Sequence, residues 1–339
     1  MKLIVQIPCF NEADTLARTV ADIPRAIEGV DEVEILVIDD GSTDNTSDVA
    51  RAAGVDHLIR NTTNRGLARA FREGLDASLK LGADIIVNTD GDNQYAGEDI
   101  PVLIKPILDG KADLVVGDRE TSNIPHFSPL KKFFQRFGSS IVRRLSGGLQ
   151  VPDAVSGFRA ISREGAFSIN IVSSFSYTIE MLIQAGKKRM AVTSVPVRTN
   201  DVTRKSRLFK GIPSFIVKSG VTVVRMFTMY KPLQVFTIIG LLLMLTGMVP
   251  MVRFLMFYFS GDGAGHIQSL IIGGSFIVIG FVTFMIALLA DLINFNRRLL
   301  EIILEKTRQM ELMMEDGGDT SQRSRERPEL QEASQQDIR

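Results

Sequence analysis

Charged side chains almost vanish between Leu233 and Phe295, where only Arg253, Asp262 and Asp291 carry charge, while both flanks are rich in it. Leu233 to about Val252 and Ile267 to Leu292 are apolar, and each reaches the roughly 20 residues that a helix needs to cross a bilayer. The loop between them, 260–266, has no Lys or Arg. Lys210, Lys218, Arg225 and Lys231 precede the first run, and Arg297, Arg298 and Lys306 follow the second. The positive-inside rule then predicts a two-helix hairpin over 232–295 in the cytoplasmic (inner) membrane, multi-pass, with both chain ends cytoplasmic. Arg253, at the outer end, can snorkel to the interface. Asp291 lies near the inner end, where a charge costs little.

The hairpin leaves residues 1–210 to build a cytoplasmic globular domain. Phe215 to Met229 sets Lys218 and Arg225 among apolar residues, which predicts an amphipathic helix within 211–231 lying on membrane lipids. Residues 296–314 read as a mixed, charged cytoplasmic helix whose Leu299, Leu300, Ile303, Leu304 and Met310 suit packing on a neighbouring subunit, so a homo-oligomer is expected. The stretch 315–339, rich in Gln, Ser, Glu and Arg, predicts a disordered tail. At the N-terminus, one Lys and a short apolar run stopped by Pro8 are too short for a signal segment and read as a β-strand.

Composition narrows the function classes. Lys+Arg and Asp+Glu both number 39, so no basic excess points to nucleic acid. A single cysteine, Cys9, excludes an intramolecular disulfide, and with three histidines it argues against a structural zinc site.

Apolar, β-branched runs alternate with helix-period segments through the first 120 residues. Strands are expected at Leu3–Ile7, Glu34–Ile38, Asp56–Arg60, Ile85–Asn88 and Ala112–Arg119. Helices are expected after Asn11 or Asp14 (either of which suits a cap), after Asp44, after Gly66 and near Ile100–Leu108. This order implies an α/β fold with a doubly wound, mostly parallel sheet. Four of these strands end in polar residues: Glu12, Asp39-Asp40, Asp90-Gly91-Asp92 and Asp118-Arg119. Such ends gather at one edge of a parallel sheet, where ligands bind. Paired carboxylates suit a hard divalent cation, and Mg2+ is usually held by one or two of them together with substrate phosphates. The plainer reading of Asp90-Gly91-Asp92 is a surface turn. Neither a G-x-G-x-x-G loop nor a Walker A sequence is present, so phosphates would be met by metal and basic side chains.

Five motifs, in order, carry a resemblance. They are Pro8-x-Phe10-Asn11-Glu12, Ile38-Asp39-Asp40-Gly41-Ser42, Asn64-x-Gly66 with the Ala68–Ala70 helix, Asp90-Gly91-Asp92-x-Gln94, and Asp153-Ala154-Val155-Ser156-Gly157-Phe158-Arg159. Residues 1 to about 215 resemble a family-2 glycosyltransferase of GT-A fold, in the polyprenyl-phosphate branch that includes dolichol-phosphate mannose synthases. The resemblance implies inverting transfer of one hexose from a nucleotide sugar, of GDP-mannose or UDP-glucose type, to undecaprenyl or dolichyl phosphate, with Mg2+ or Mn2+. It implies that Pro8, Phe10, Glu12 and Asp39 hold base and ribose. Asp90 and Gly91 would lie near sugar and ribose, and Asp92, Gln94 and Asp90 would ligate the metal. Arg119 would clamp a phosphate. Arg204 and Arg207 would also serve the donor, and Lys205, Arg207, Ser156 and Arg159 the acceptor phosphate. Arg204 stands where the family's basic loop typically has Gly, and Phe10 where Tyr is common.

A phosphate monoester is largely dianionic at pH 7, its second pKa being about 6, and needs no base to activate it. Asp153 is therefore expected to position metal, donor or acceptor rather than to take a proton; capping its own turn is the alternative. Glu180 is a further candidate to line the site. Lys131, Lys132, Arg136, Arg143 and Arg144 read as a basic lipid-facing or solvated helix face. Two other functions fit the same elements. A processive polysaccharide synthase would resemble the fold but carry a Q-x-x-R-W motif, and this chain has no Trp. A non-catalytic nucleotide-sugar-binding membrane scaffold would not need its acidic motifs intact.

Overall fold

The structure, a computed structural model, describes residues 1–119, 140, 142–171, 177–200, 225, 227–261 and 264–336, without the side chains of 264 and 312–336. The chain forms two compact units, residues 1–206 with 303–339, and residues 207–302.

The first unit is built on one seven-stranded sheet. Its strands are β1 (Lys2–Cys9), β2 (Glu32–Asp39), β3 (His57–Arg60), β4 (Ile85–Asn88), β5 (Leu114–Asp118), β6 (Arg159–Ser162) and β7 (Val192–Pro196), in the order β3-β2-β1-β4-β6-β5-β7. All neighbours are parallel except β6, which runs antiparallel to both β4 and β5. The helices are α1 (Leu16–Ala21), α2 (Thr46–Ala52), α3 (Leu67–Lys80), α4 (Ile100–Leu108), α5 (Arg163–Ser168) and α6 (Tyr177–Lys187). A strand covered on both faces must be apolar on both. In β1, Leu3, Val5 and Ile7 pack with Leu16 and Val20 of α1 and Leu103 and Ile104 of α4. On the other face Ile4 packs with Phe71 and Leu75 of α3 and Met181 and Leu182 of α6. The expected doubly wound α/β sheet is therefore present, enlarged by β6 and β7.

One local expectation changes. The N-cap of α1 is Thr15, and no side chain caps it. Asn11 instead adopts a left-handed backbone (φ 57°), and its Oδ1 accepts from the Thr43 N–H at 2.8 Å. It ties the β1 loop to the β2 loop rather than starting a helix.

The second unit contains α7 (Pro232–Phe259) and the first part of α8 (Ile267–Gln336). Both helices are long and apolar enough to cross a membrane, and they associate the chain with one. They meet through glycines. A Cβ on Gly240 would stand 2.8 Å from the Gly280 carbonyl oxygen, and one on Gly247 would stand 2.7 Å from that of Gly273. Without a hydrophobic drive in lipid, such close backbone approach is what holds spanning helices together. Val249, Met256 and Phe281 stay exposed, as lipid-facing residues do.

Residues 303–311 of α8 belong to the first unit. Glu305 accepts from Lys188 at 2.6 Å and from Ser168 at 3.1 Å. Arg308 pairs with Asp76 at 2.8 Å. The charged face of this helix makes the contact, while Ile303, Leu304 and Met310, expected against a neighbouring subunit, remain exposed. The helix runs on to Gln336, across the stretch where a disordered tail was expected.

Candidate active site

The strand order reverses between β1 and β4: β2 and β3 lie to one side of β1, and the rest of the sheet to the other. Crevices at such reversals are the ligand sites of open α/β sheets. Pairing of β1 with β4 stops at Gln6–Asn88, so Ile7, Pro8 and Cys9 pair with β2 alone. Pro8, which lacks an N–H, falls where the β4 ladder has ended. The loops after β1 and β4 face each other across this gap. Thr15 donates its hydroxyl to the Gly91 carbonyl at 2.8 Å, and Thr19 donates to the same oxygen at 3.3 Å. A Cβ on Gly91 would lie 2.7 Å from Cys9 Sγ, so only glycine lets the loops close.

Asp90 and Asp92 are half-buried in this crevice. Burial, then the charge of Asp92, pushes the Asp90 carboxyl from 3.8 up to about 7; Arg119 pulls the other way and Glu12 adds to the rise. Asp92 Oδ1 accepts the Gln94 N–H at 3.1 Å. Among the described residues no group of three or more His, Cys, Asp or Glu could hold a metal. Two carboxylates beside a Gln carbonyl are nonetheless a donor set that Mg2+ or Mn2+ accepts when substrate phosphates complete the shell.

The loop is fixed from outside by the segment after β7. The Ala96 N–H donates to the Arg198 carbonyl at 3.3 Å and the Asn200 N–H to the Gln94 carbonyl at 3.0 Å. Asn200 Nδ2 reaches the Asn93 carbonyl at 3.2 Å. Asn93 itself has a left-handed backbone, φ 54°.

On the far side of the crevice Arg119 donates Nε to Asp153 Oδ2 at 2.6 Å and Nη2 to Asp153 Oδ1 at 3.1 Å. Burial would lower the Arg119 pKa, but the Asp153 bonds outweigh it and hold the guanidinium above its ordinary range. Asp153 is fully buried. Both of its oxygens face a cation, so it anchors Arg119.

Two acceptor assignments need correcting. Arg159 is 1% exposed and donates to the carbonyls of Ser156 (2.8 Å), Thr178 (2.6 Å) and Ala154 (2.8 Å). Burial lowers its pKa to about 10. Its guanidinium is consumed in buttressing the 153–158 turn and has no face left for a phosphate. Ser156, 0% exposed, is likewise part of the packing under that turn.

Phe10 is exposed directly after β1 and Glu12 is half-buried; Pro8 is buried within the strand. Asp39 is fully buried. Its Oδ1 accepts the Ser42 N–H at 2.8 Å, and its Oδ2 accepts the Ser47 hydroxyl. Asp40 does related work, accepting the Arg65 N–H at 2.9 Å and the Gly66 N–H at 2.7 Å. Glu180 is buried in α6. Arg204, Lys205, Arg207, Lys131, Lys132, Arg136 and most of 211–231 lie outside the described residues, whereas Arg143 and Arg144 are exposed.

Sequence pattern assigns no role to Tyr95, Asn88 or Asn200. Tyr95 directly follows Gln94 of the acidic motif, and Asn88 is the polar end of an otherwise apolar strand; those were the available signals.

Comparison with known proteins agrees with this geometry. Residues 4–167 match the model described as Glycosyl transferase family 2. The chain is similar to MJ1222, an uncharacterized protein of Methanocaldococcus jannaschii, with 34% identity over 206 residues covering 58% of this chain and 81% of the relative. It is similar to the UDP-N-acetylglucosamine–dolichyl-phosphate N-acetylglucosaminyltransferase of Methanococcus voltae, 29% identical over 57% of this chain and 83% of the relative. It is also similar to the undecaprenyl-phosphate mannosyltransferase of Micrococcus luteus, 27% identical over 58% of this chain and 83% of the relative. Among solved structures, glucosyl-3-phosphoglycerate synthase from Mycobacterium tuberculosis, in complex with Mn2+, UDP and phosphoglyceric acid, superposes with a TM-score of 0.53 at 20% identity. That match covers 67% of this chain and 77% of the other and shows a shared GT-A fold. The fold and crevice define a sugar-transferring enzyme, and the chain belongs to glycosyl transferase family 2.

Proposed function

We propose that this enzyme transfers a single hexose from a nucleoside-diphosphate sugar to a polyprenyl phosphate at the cytoplasmic face of the membrane, with inversion by direct displacement. The observation that carries the reading is the half-buried Asp90–Asp92 pair at the β1/β4 reversal, with Arg119 close enough to act on its charge. The names of the relatives support a lipid-phosphate acceptor, and they differ in sugar.

Asp92, with Asp90 and Gln94, would hold Mg2+ or Mn2+, whose chemistry when bound is to neutralise a departing nucleoside diphosphate. Phe10 stacks on the base and Glu12 accepts from base or ribose. Arg119, kept in place by Asp153, offers its remaining N–H groups to a phosphate oxygen as a fork donor. The proton balance also favours a phosphate acceptor. Both Asp153 oxygens are committed to Arg119, and a phosphate dianion needs no base. The basic stretch Arg204, Lys205 and Arg207 follows directly in sequence from the segment fixed to the Gln94 loop, and we assign it to the paired anions of donor and acceptor.

The test is turnover. Purified full-length protein in detergent, given Mn2+ or Mg2+, undecaprenyl or dolichyl phosphate and a panel of nucleotide sugars, should release nucleoside diphosphate and form a glycolipid only when the lipid phosphate is present. No release across the panel, or a polymeric product, would overturn it.

A further inference from the structure

The tyrosine next to the acidic motif touches both halves of the crevice. Tyr95 is 3% exposed. Its ring stacks on Phe158, centroids 5.2 Å apart, and the Arg119 guanidinium lies 5.8 Å from its ring centroid. Its hydroxyl oxygen accepts the Gly157 N–H at 2.9 Å. The other end of that residue is also held: Asn88 Nδ2 donates to the Gly157 carbonyl at 2.8 Å, and Asn88 Oδ1 accepts from Gln6 Nε2 at 2.9 Å.

Gly157 matters because of what its α-carbon faces. A Cβ there would lie 2.9 and 3.0 Å from the two carboxylate oxygens of Asp90 and 3.1 Å from the Tyr177 hydroxyl. The Asp90 side chain thus rests against the bare α-carbon of a residue gripped from both sides. Burial, then the nearby Asp90 charge, pushes the Tyr95 phenol up to about 12, so it stays a neutral hydroxyl.

We infer that Tyr95 is a positioning residue: its hydroxyl fixes Gly157 against the Asp90 carboxylate, while its ring supports Arg119, so one side chain sets the spacing between the two halves of the crevice. The inference rests on reading Asp90 and Asp92 as metal and donor ligands. Tyr95 itself touches no reacting group. It acts through Gly157 and Arg119.

Tyr95→Phe keeps the ring and removes the hydroxyl that accepts the Gly157 N–H and meets the Ser156 side chain. Mn2+ affinity of the full-length protein, measured by electron paramagnetic resonance, should weaken about tenfold, the lower end of what lost outer-shell support costs a metal site. The donor KM should rise and kcat should fall in the same variant. A purely structural role would lower yield or melting temperature but leave the metal affinity and KM of the folded enzyme unchanged, and that result overturns the inference. Gly157→Ala, which places a methyl against the carboxylate, is the second arm: it should weaken Mn2+ binding at least as much, and wild-type affinity there overturns the inference even if Tyr95→Phe folds poorly. Wild-type protein that neither binds Mn2+ nor releases nucleoside diphosphate would instead overturn the proposed function, so the two failures are distinguishable.

Discussion

Arg119 and Asp153 form a two-bond ion pair that joins the end of β5 to the turn before β6, with Nε–Oδ2 at 2.6 Å and Nη2–Oδ1 at 3.1 Å. Removing one partner of a buried pair strands the other. Arg119→Ala should therefore leave Asp153, which is fully buried, without its cation, and cost roughly 3 kcal/mol of stability. Asp153→Asn, which keeps shape and removes the charge, should cost less in stability while still impairing turnover. Chemical denaturation beside an activity assay checks this, and equal stability losses would contradict the asymmetry.

Asp92 is the principal expected metal ligand. Asp92→Asn keeps the oxygen that accepts the Gln94 N–H but removes a negative charge. Turnover should fall on the order of 100-fold or more, the scale on which single charge-stabilising groups act. Full activity in this variant would remove the metal assignment.

The pH dependence follows from Asp90, whose carboxyl rises from 3.8 to about 7 in the folded protein. A raised acid pKa means that the folded state holds this proton more tightly. The resulting stability is fully present below about pH 4 and is lost as the pH rises through 7. A divalent cation binds the deprotonated form and should stabilise the protein more at higher pH. Thermal melts at pH 5.5 and pH 8 with and without Mn2+ should show the larger metal-induced gain at pH 8. Asp90→Asn should flatten the difference, and equal gains in the wild type would exclude it.

The pair of long apolar helices offers a separate test. Gly240 and Gly247 leave no room for a side chain opposite Gly280 and Gly273. Gly247→Leu should force the helices apart, at a cost of about 1–3 kcal/mol from overpacking. Thermal aggregation in detergent would show it as a lower midpoint, while Val249→Leu on the exposed face should be silent.

The C-terminal part of α8 should matter to the catalytic unit. Arg308→Ala removes the partner of Asp76, a carboxylate whose pKa burial raises. Both residues retain some solvent contact, so about 1 kcal/mol is expected, read as a small drop in melting temperature at neutral pH.

The first five strands and α3 were legible because their apolar, β-branched runs and helical spacing encode burial directly. Asp92 and Gln94 stood out for the same reason, as polar residues at an abrupt end. β6 was not legible. It is four residues long and opens with Arg159, whose guanidinium is paired with carbonyls contributed by a later helix and an earlier turn. Local pattern contains no trace of those partners, and a lone arginine beside a motif looks like a ligand contact. Asp39 has contacts of the same hidden kind: its oxygens meet Ser42 and Ser47 a few residues on, which the strand-end pattern does not announce. Tyr95 was invisible for want of knowledge that Gly157, 62 residues away, would come beside it.

The one strand that opposes its neighbours also sets an order of assembly. β4 and β5 are separated in the sheet by β6, which the ribosome makes only after both. Until Ser162 emerges, each presents an unpaired edge, the kind of surface that captures stray chains. The last strand, β7, ends at Pro196, 36 residues before the first long apolar helix begins at Pro232. The catalytic sheet can thus pair its interior strands on the nascent chain before the long apolar helices are made.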